Sequence, residues 1–179
     1  MKKYFCLIWM LLVVLLAACG PQTAENPPEA EGPLRLERLA VEVSRADLSA
    51  EDLSRAVREL PEALKTALAD RGVEAEDVTV SVGSSPAATA QAVSEGGVDL
   101  GFLPAEGFAA LEKAPRLLLT AGDGGAEAGA MAAVVRPEDE VLSGEAFAEA
   151  LAAAVNELRE DQPVFGPYDY AQAEPESAG

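Results

Sequence analysis

The chain has 179 residues with 13 basic and 31 acidic side chains and no histidine, a formal charge of −18. Such a surface makes nucleic acid a poor partner, and the missing histidine removes the commonest general base and metal ligand. No carboxylate spacing suggests a metal cage, so no metal or cofactor is expected, and the chain is not read as an enzyme.

The first eighteen residues read as an export signal. Lys2 and Lys3 form the positive end, residues 5–16 are uncharged and apolar, and small residues precede Cys19. The run is too short for a spanning helix, which needs roughly 20 apolar residues. Leu16-Ala17-Ala18-Cys19, followed by Gly20, resembles the lipobox of bacterial lipoproteins. That resemblance implies a diacylglyceryl group on Cys19, which becomes the mature N-terminus, and attachment to membrane lipid on the extracytoplasmic face of the cell membrane. Two acyl chains suffice for lasting attachment, because each buried methylene contributes about 0.8 kcal/mol. Loss of the signal takes Lys2, Lys3 and Cys6 with it and leaves 11 basic against 31 acidic residues, a net charge of −20. No free thiol or disulfide would remain.

Residues 19–33 are rich in Pro, Glu, Gly and polar residues and read as a tether that buries no core. One domain is expected over residues 34–160, and residues 161–179 read as a tail whose Phe165, Tyr168 and Tyr170 could pack back onto it. Strands are predicted over 36–44, 78–82, 98–103, 117–120 and 131–135. A helix begins at the cap Ser49, with Asp52 three residues on. Leu53, Val57, Leu60, Leu64 and Leu68 form its apolar stripe, Gly72 stops it, and Pro61 predicts a kink or break. Further helices are predicted over 86–96 and 105–113, and a fourth buries Phe147, Leu151, Val155 and Leu158. This order predicts an α/β fold: a mainly parallel, mixed sheet of about five strands with helices on both faces.

Ligands of such sheets gather where strands end and helices begin. The loop Gly83-Ser84-Ser85-Pro86-Ala87-Ala88-Thr89 follows a strand and opens a helix with Pro at its first position. Ser84, Ser85 and Thr89 could hold a phosphate or phosphonate oxygen with the helix N-terminus; alternatively Ser85 only caps the helix and Ser84 only makes a turn. The glycine-rich stretch 122–129 carries Asp123 and Glu127, the wrong charge for a phosphate cradle, and reads as a flexible turn.

Residues 80–89 (VSVGSSPAAT) and 97–105 (GVDLGFLPA) together resemble the first lobe of the phosphate/phosphite/phosphonate-binding proteins of ABC importers. The resemblance spans roughly residues 34–135. It implies one lobe of a periplasmic-binding-protein type fold, an oxyanion ligand contacted by Ser84, Ser85, Thr89, Pro104 and Ala105, and an ABC permease as partner. Two departures stand out. The central stretch that forms the family's second lobe is missing after Arg136, so about half a binding protein remains, and Pro86 stands where the family often carries Tyr. Two functions are therefore weighed: a lipid-anchored solute-binding protein, or a non-catalytic cell-surface lipoprotein that keeps the lobe as a scaffold.

Overall fold

A computed structural model describes residues 32–105, 115–122 and 130–173. The chain divides into Met1–Glu31 and Gly32–Gly179, and all the described elements belong to the second unit. Cys19 and most of the predicted tether lie outside the described residues, as do most of the third predicted helix and the glycine-rich stretch.

The elements are β1 (Leu34–Val43), α1 (Ala50–Ala69), β2 (Val73–Val82), α2 (Pro86–Ser94), β3 (Leu100–Pro104), β4 (Arg116–Ala121), β5 (Met131–Val135), α3 (Glu145–Leu158), a 3-10 turn (Pro163–Phe165) and β6 (Tyr170–Gln172). The fold is α/β. Its six strands lie in the order β2-β1-β3-β5-β4-β6. β1 is parallel to both β2 and β3, whereas the β3–β5, β5–β4 and β4–β6 pairs are antiparallel, so the sheet is mixed. One consequence governs the site. β1, β2, β3 and β4 all finish at one end of the sheet, where β5 and β6 begin.

Side-chain parity sorts the core into two clusters, because successive residues of a strand point to opposite faces. Leu39, Val41, Val43, Leu100 and Phe102 belong to the larger one, together with Leu60, Leu64 and Leu68 of α1 and Phe147, Leu151 and Val155 of α3. Ala40, Leu103 and Val134 fall at the alternate positions and meet Val93 of α2. Burying one large aliphatic side chain is worth about 1.5–3 kcal/mol. The larger cluster therefore carries most of the apolar stabilisation.

Local chemistry explains the helices. Ser49 accepts the Asp52 N–H at 3.1 Å and so caps α1 as its position predicts. Pro61 lies inside α1, which runs unbroken from Ala50 to Ala69. The apolar stripe differs from expectation at Val57, which is 40% exposed, while Ala56 takes the buried position. The helix ends at Ala69, and the turn after it closes at Gly72, whose φ of 80° suits a residue without Cβ.

β2 is twice the predicted length. Its first half reads Val-Glu-Ala-Glu-Asp, with burial at Val73 and Ala75 and then at Val78 and Val80. The alternation slips by one residue at Glu76 and Asp77, which is why a period-two reading finds only the second half. Lys65 of α1 donates to the Glu76 carbonyl at 2.6 Å, giving that backbone group a partner at the slip. β1 makes the matching slip between Leu36 and Leu39. This keeps the two strands in constant register from Leu34↔Val73 to Val43↔Val82.

The segment expected as a tail supplies part of the core. Val164 and Phe165 are fully buried, Tyr170 is 3% exposed, and β6 extends the sheet beside β4.

Candidate functional site

The finishing ends of β2 and β3 bring four of the five predicted ligand residues to one end of the sheet. Ser84 and Ser85 follow β2, while Pro104 closes β3 and Ala105 follows it. Ser84 is exposed, and Ser85, Pro104 and Ala105 are half-buried. The loop after β1 leads to the α1 N-terminus at Ser49, and the loop after β2 to the α2 N-terminus at Ser85, so two helix starts share this end. The backbone is tied across it. Gly83 N–H donates to Val43 C=O at 3.0 Å, Ser44 N–H to Phe102 C=O at 2.8 Å, and Ala105 N–H to Ala130 C=O at 3.1 Å.

Ser85 caps α2: its Oγ accepts the Ala88 N–H at 3.1 Å. That bond satisfies one of the free donors at the helix start. The hydroxyl proton of Ser85 and the exposed Ser84 remain as neutral groups for a ligand.

Thr89 sits differently from the expectation that it stands beside Ser84 and Ser85. It is fully buried, and its hydroxyl donates to Oε1 of Glu42 at 2.7 Å. The Ser81 hydroxyl lies 3.4 Å from the other oxygen of the same carboxylate. Glycines make room for this arrangement. A Cβ on Gly83 would run into Thr89 Oγ1 and lie 2.6 Å from Glu42 Oε1, and one on Gly101 would lie 3.0 Å from both Thr89 Cγ2 and Val93 Cγ2. Thr89 thus packs α2 onto the sheet and holds Glu42 beneath the Gly83 loop, with no hydroxyl left for an anion.

Glu42 is the residue that pattern reading missed. Its signal is a carboxylate inside the otherwise apolar run Leu39-Ala40-Val41-Glu42-Val43, at a position turned toward α2. Chemically it counts against an anion at the same place. Two unit charges about 4 Å apart at an effective dielectric of about 20 repel by ~4 kcal/mol.

A cation at this end is already committed. The Arg45 side chain is 7% exposed and forms a fork with Asp47, Nε to Oδ1 at 2.7 Å and Nη2 to Oδ2 at 2.6 Å. Its Nη1 donates to the Pro163 and Val164 carbonyls at 3.4 and 3.5 Å. The hydrogen bond from Arg45 holds the Asp47 carboxyl below its ordinary value, and the same bond raises the guanidinium against the opposing effect of burial. Arg45 therefore locks the end of β1 to the 3-10 turn.

The site is thus a shallow end of a sheet with neutral hydroxyls, two helix starts and one internal carboxylate. No protein-family model, curated protein or solved structure matches the chain.

Proposed function

We propose that this chain is a lipid-anchored, extracytoplasmic protein of the solute-binding type, a one-lobed form of the binding proteins that serve ABC importers of phosphate- or phosphonate-like oxyanions. The observation that carries the reading is the convergence of Ser84, Ser85, Pro104 and Ala105 with two helix starts at the finishing end of one α/β sheet. Ligands of open α/β sheets occupy that position, and helix N-termini offer unpaired N–H groups to oxygen anions. One lobe presents one wall only. Well-formed small-molecule sites bury roughly 70–90% of their ligand, so the affinity expected here is weak.

Isothermal calorimetry of the protein with phosphate, phosphite and methylphosphonate tests the ligand. Saturable heat at millimolar ligand, reduced when Ser84 and Ser85 are both changed to alanine, is the expected result. Absence of heat for all three would sink the transport reading.

The Thr89–Glu42 bond favours a second reading, in which the lobe is kept as a non-catalytic surface scaffold without oxyanion binding. An acidic side chain fastened under the loop suits such a scaffold better than an anion receptor. Both readings place the chain on the membrane through Cys19. Metabolic labelling with a palmitate analogue is expected to mark the wild-type protein, and Cys19→Ala is expected to abolish the label and release the chain from the membrane fraction. A Cys19→Ala protein that stays labelled and membrane-bound would overturn the anchor.

A further inference from the structure

The two edge strands of the sheet are finished differently. At β6 the Asn156 amide takes both the N–H and the C=O of Tyr170, at 2.6 and 2.9 Å, so α3 closes that edge. β2 forms the other edge, and among the described residues no strand lies outside it.

Beyond the slip at Glu76 and Asp77, the direction of each β2 backbone group follows from observed bonds. Ala40 turns its N–H to the Asp99 carboxylate and its C=O to the Asp99 N–H, both at 2.8 Å and both on the β3 side. Ser44 N–H goes to Phe102 C=O on the same side, whereas Val43 C=O accepts the Gly83 N–H of the β2 side. Leu39, Val41 and Val43 therefore face β2, in constant register from Leu39↔Val78 to Val43↔Val82. In a parallel ladder their partners are the backbone groups of the odd-numbered residues 77–83. The N–H and C=O groups of Val78, Val80 and Val82 consequently point out of the sheet, and among the described residues none has a hydrogen-bond partner. Lys65 already fills the Glu76 carbonyl, so the open row begins at Val78.

The sequence of this row selects the occupant. Val78-Thr79-Val80-Ser81-Val82 alternates apolar with small hydroxyl side chains and carries no charge and no proline, the usual guards of an exposed edge. The acids Glu74, Glu76 and Asp77 all fall in the earlier half of the strand. The segment is also nearly symmetric about Val80. When two copies pair antiparallel about that residue, Val80 meets Val80 and Val78 meets Val82, in pairs that each exchange two main-chain bonds, about six in all. Val82, 42% exposed, gains an apolar neighbour on one face, and Thr79 meets Ser81 on the other. Asp77 of each copy falls opposite Gly83 of the other. The two Asp77 side chains then lie about 20 Å apart along the strands, beyond the Debye length of about 8 Å at physiological salt.

We propose that the chain pairs with a second copy of itself through Val78–Val82 of β2, which joins the two sheets into one across a two-fold axis. Main-chain hydrogen bonds supply affinity in this mode, and alternate side chains supply selectivity. The same patch serves both copies and Asn156 shuts the far edge of each, so the assembly closes at two. A standard interface uses about 20–30 residues a side. A row this short, in a chain carrying −18, gives a weak dimer. The pairing is independent of oxyanion binding.

Sedimentation equilibrium from micromolar to millimolar protein, joined to amide hydrogen exchange read by NMR, tests the pairing. Expected are a monomer–dimer equilibrium that strengthens with added salt, and protection of the Val78, Val80 and Val82 amides that rises with concentration while that of Thr79 and Ser81 does not. Val82→Pro removes one outward N–H, a change that edge strands tolerate, and Val82→Glu adds like charge without touching the backbone. Each is expected to weaken dimerisation about tenfold or more. Any of four results would overturn the proposal: a chain that stays monomeric at millimolar concentration, even one whose β2 edge takes up an added Val-Thr-Val-Ser-Val peptide; a dimer that leaves the three valine amides unprotected; open-ended assemblies larger than a dimer; or a folded Val82→Glu protein that associates as well as the parent.

Discussion

Phe165→Ala is expected to destabilise the domain by about 3–5 kcal/mol, the range for removing a buried phenylalanine. The melting temperature should fall by about 10–15 °C, at a few degrees per kcal/mol for a domain of this size. The ring is fully buried and packs edge-on against Phe102 with centroids 5.0 Å apart, and against Tyr170 at 6.3 Å. The Tyr170 hydroxyl donates to the Phe165 carbonyl at 2.9 Å, and burial pushes the Tyr170 phenol up, so it keeps that proton at any pH of interest. Asn156 completes the clasp, bonding the Tyr170 backbone through Nδ2 to O at 2.9 Å and through Oδ1 from N at 2.6 Å. Phe165 thus ties the 3-10 turn to β3, and Tyr170 ties β6 to α3. Tyr168→Ala, at a half-buried position, is the control and should cost clearly less. Thermal unfolding followed by circular dichroism reads both, and a Phe165→Ala protein melting within two or three degrees (about 1 kcal/mol) of the parent would show that the C-terminal segment is dispensable.

The second large effect concerns Glu42. Glu42→Gln keeps an oxygen for the Thr89 hydroxyl and removes the charge beneath the Gly83 loop. If that charge opposes an oxyanion at Ser84 and Ser85, phosphate affinity should rise by about tenfold to a hundredfold, a part of the ~4 kcal/mol that two unit charges exert at short range. Calorimetry on both proteins reads the difference, and added salt should narrow it, because part of the loop is open to solvent. Wild-type and Glu42→Gln proteins of equal, measurable affinity would show that Glu42 lies outside the field of the ligand. Heat from neither would instead leave the scaffold reading standing.

Much of the helical structure is legible in the sequence. Ser49 and Ser85 cap their helices through local bonds three residues long, and such bonds depend on little beyond the neighbouring chain. The stripe Phe147, Leu151 and Val155 is buried as its spacing predicts. Strand limits are less legible. The slip at Glu76 and Asp77 hides half of β2 from any period-two reading, and β6 is only three residues long. The candidate site shows the same division. Ser84 and Ser85 follow from the strand-to-loop order and Pro104 and Ala105 from the family resemblance, whereas Glu42 lies 47 positions before Thr89 and meets it only through sheet and helix packing.

By itself the sequence determined the α/β class, the helix starts and the small hydroxyl-rich turn after β2, because caps, periodicity and turn residues act over a few positions. Only the tertiary structure decided which way Thr89 faces, that β5 lies antiparallel between β3 and β4, and that residues 163–172 belong to the core. Those outcomes rest on contacts between distant segments, where close packing at Gly83 and Gly101 leaves one arrangement for the side chains around them.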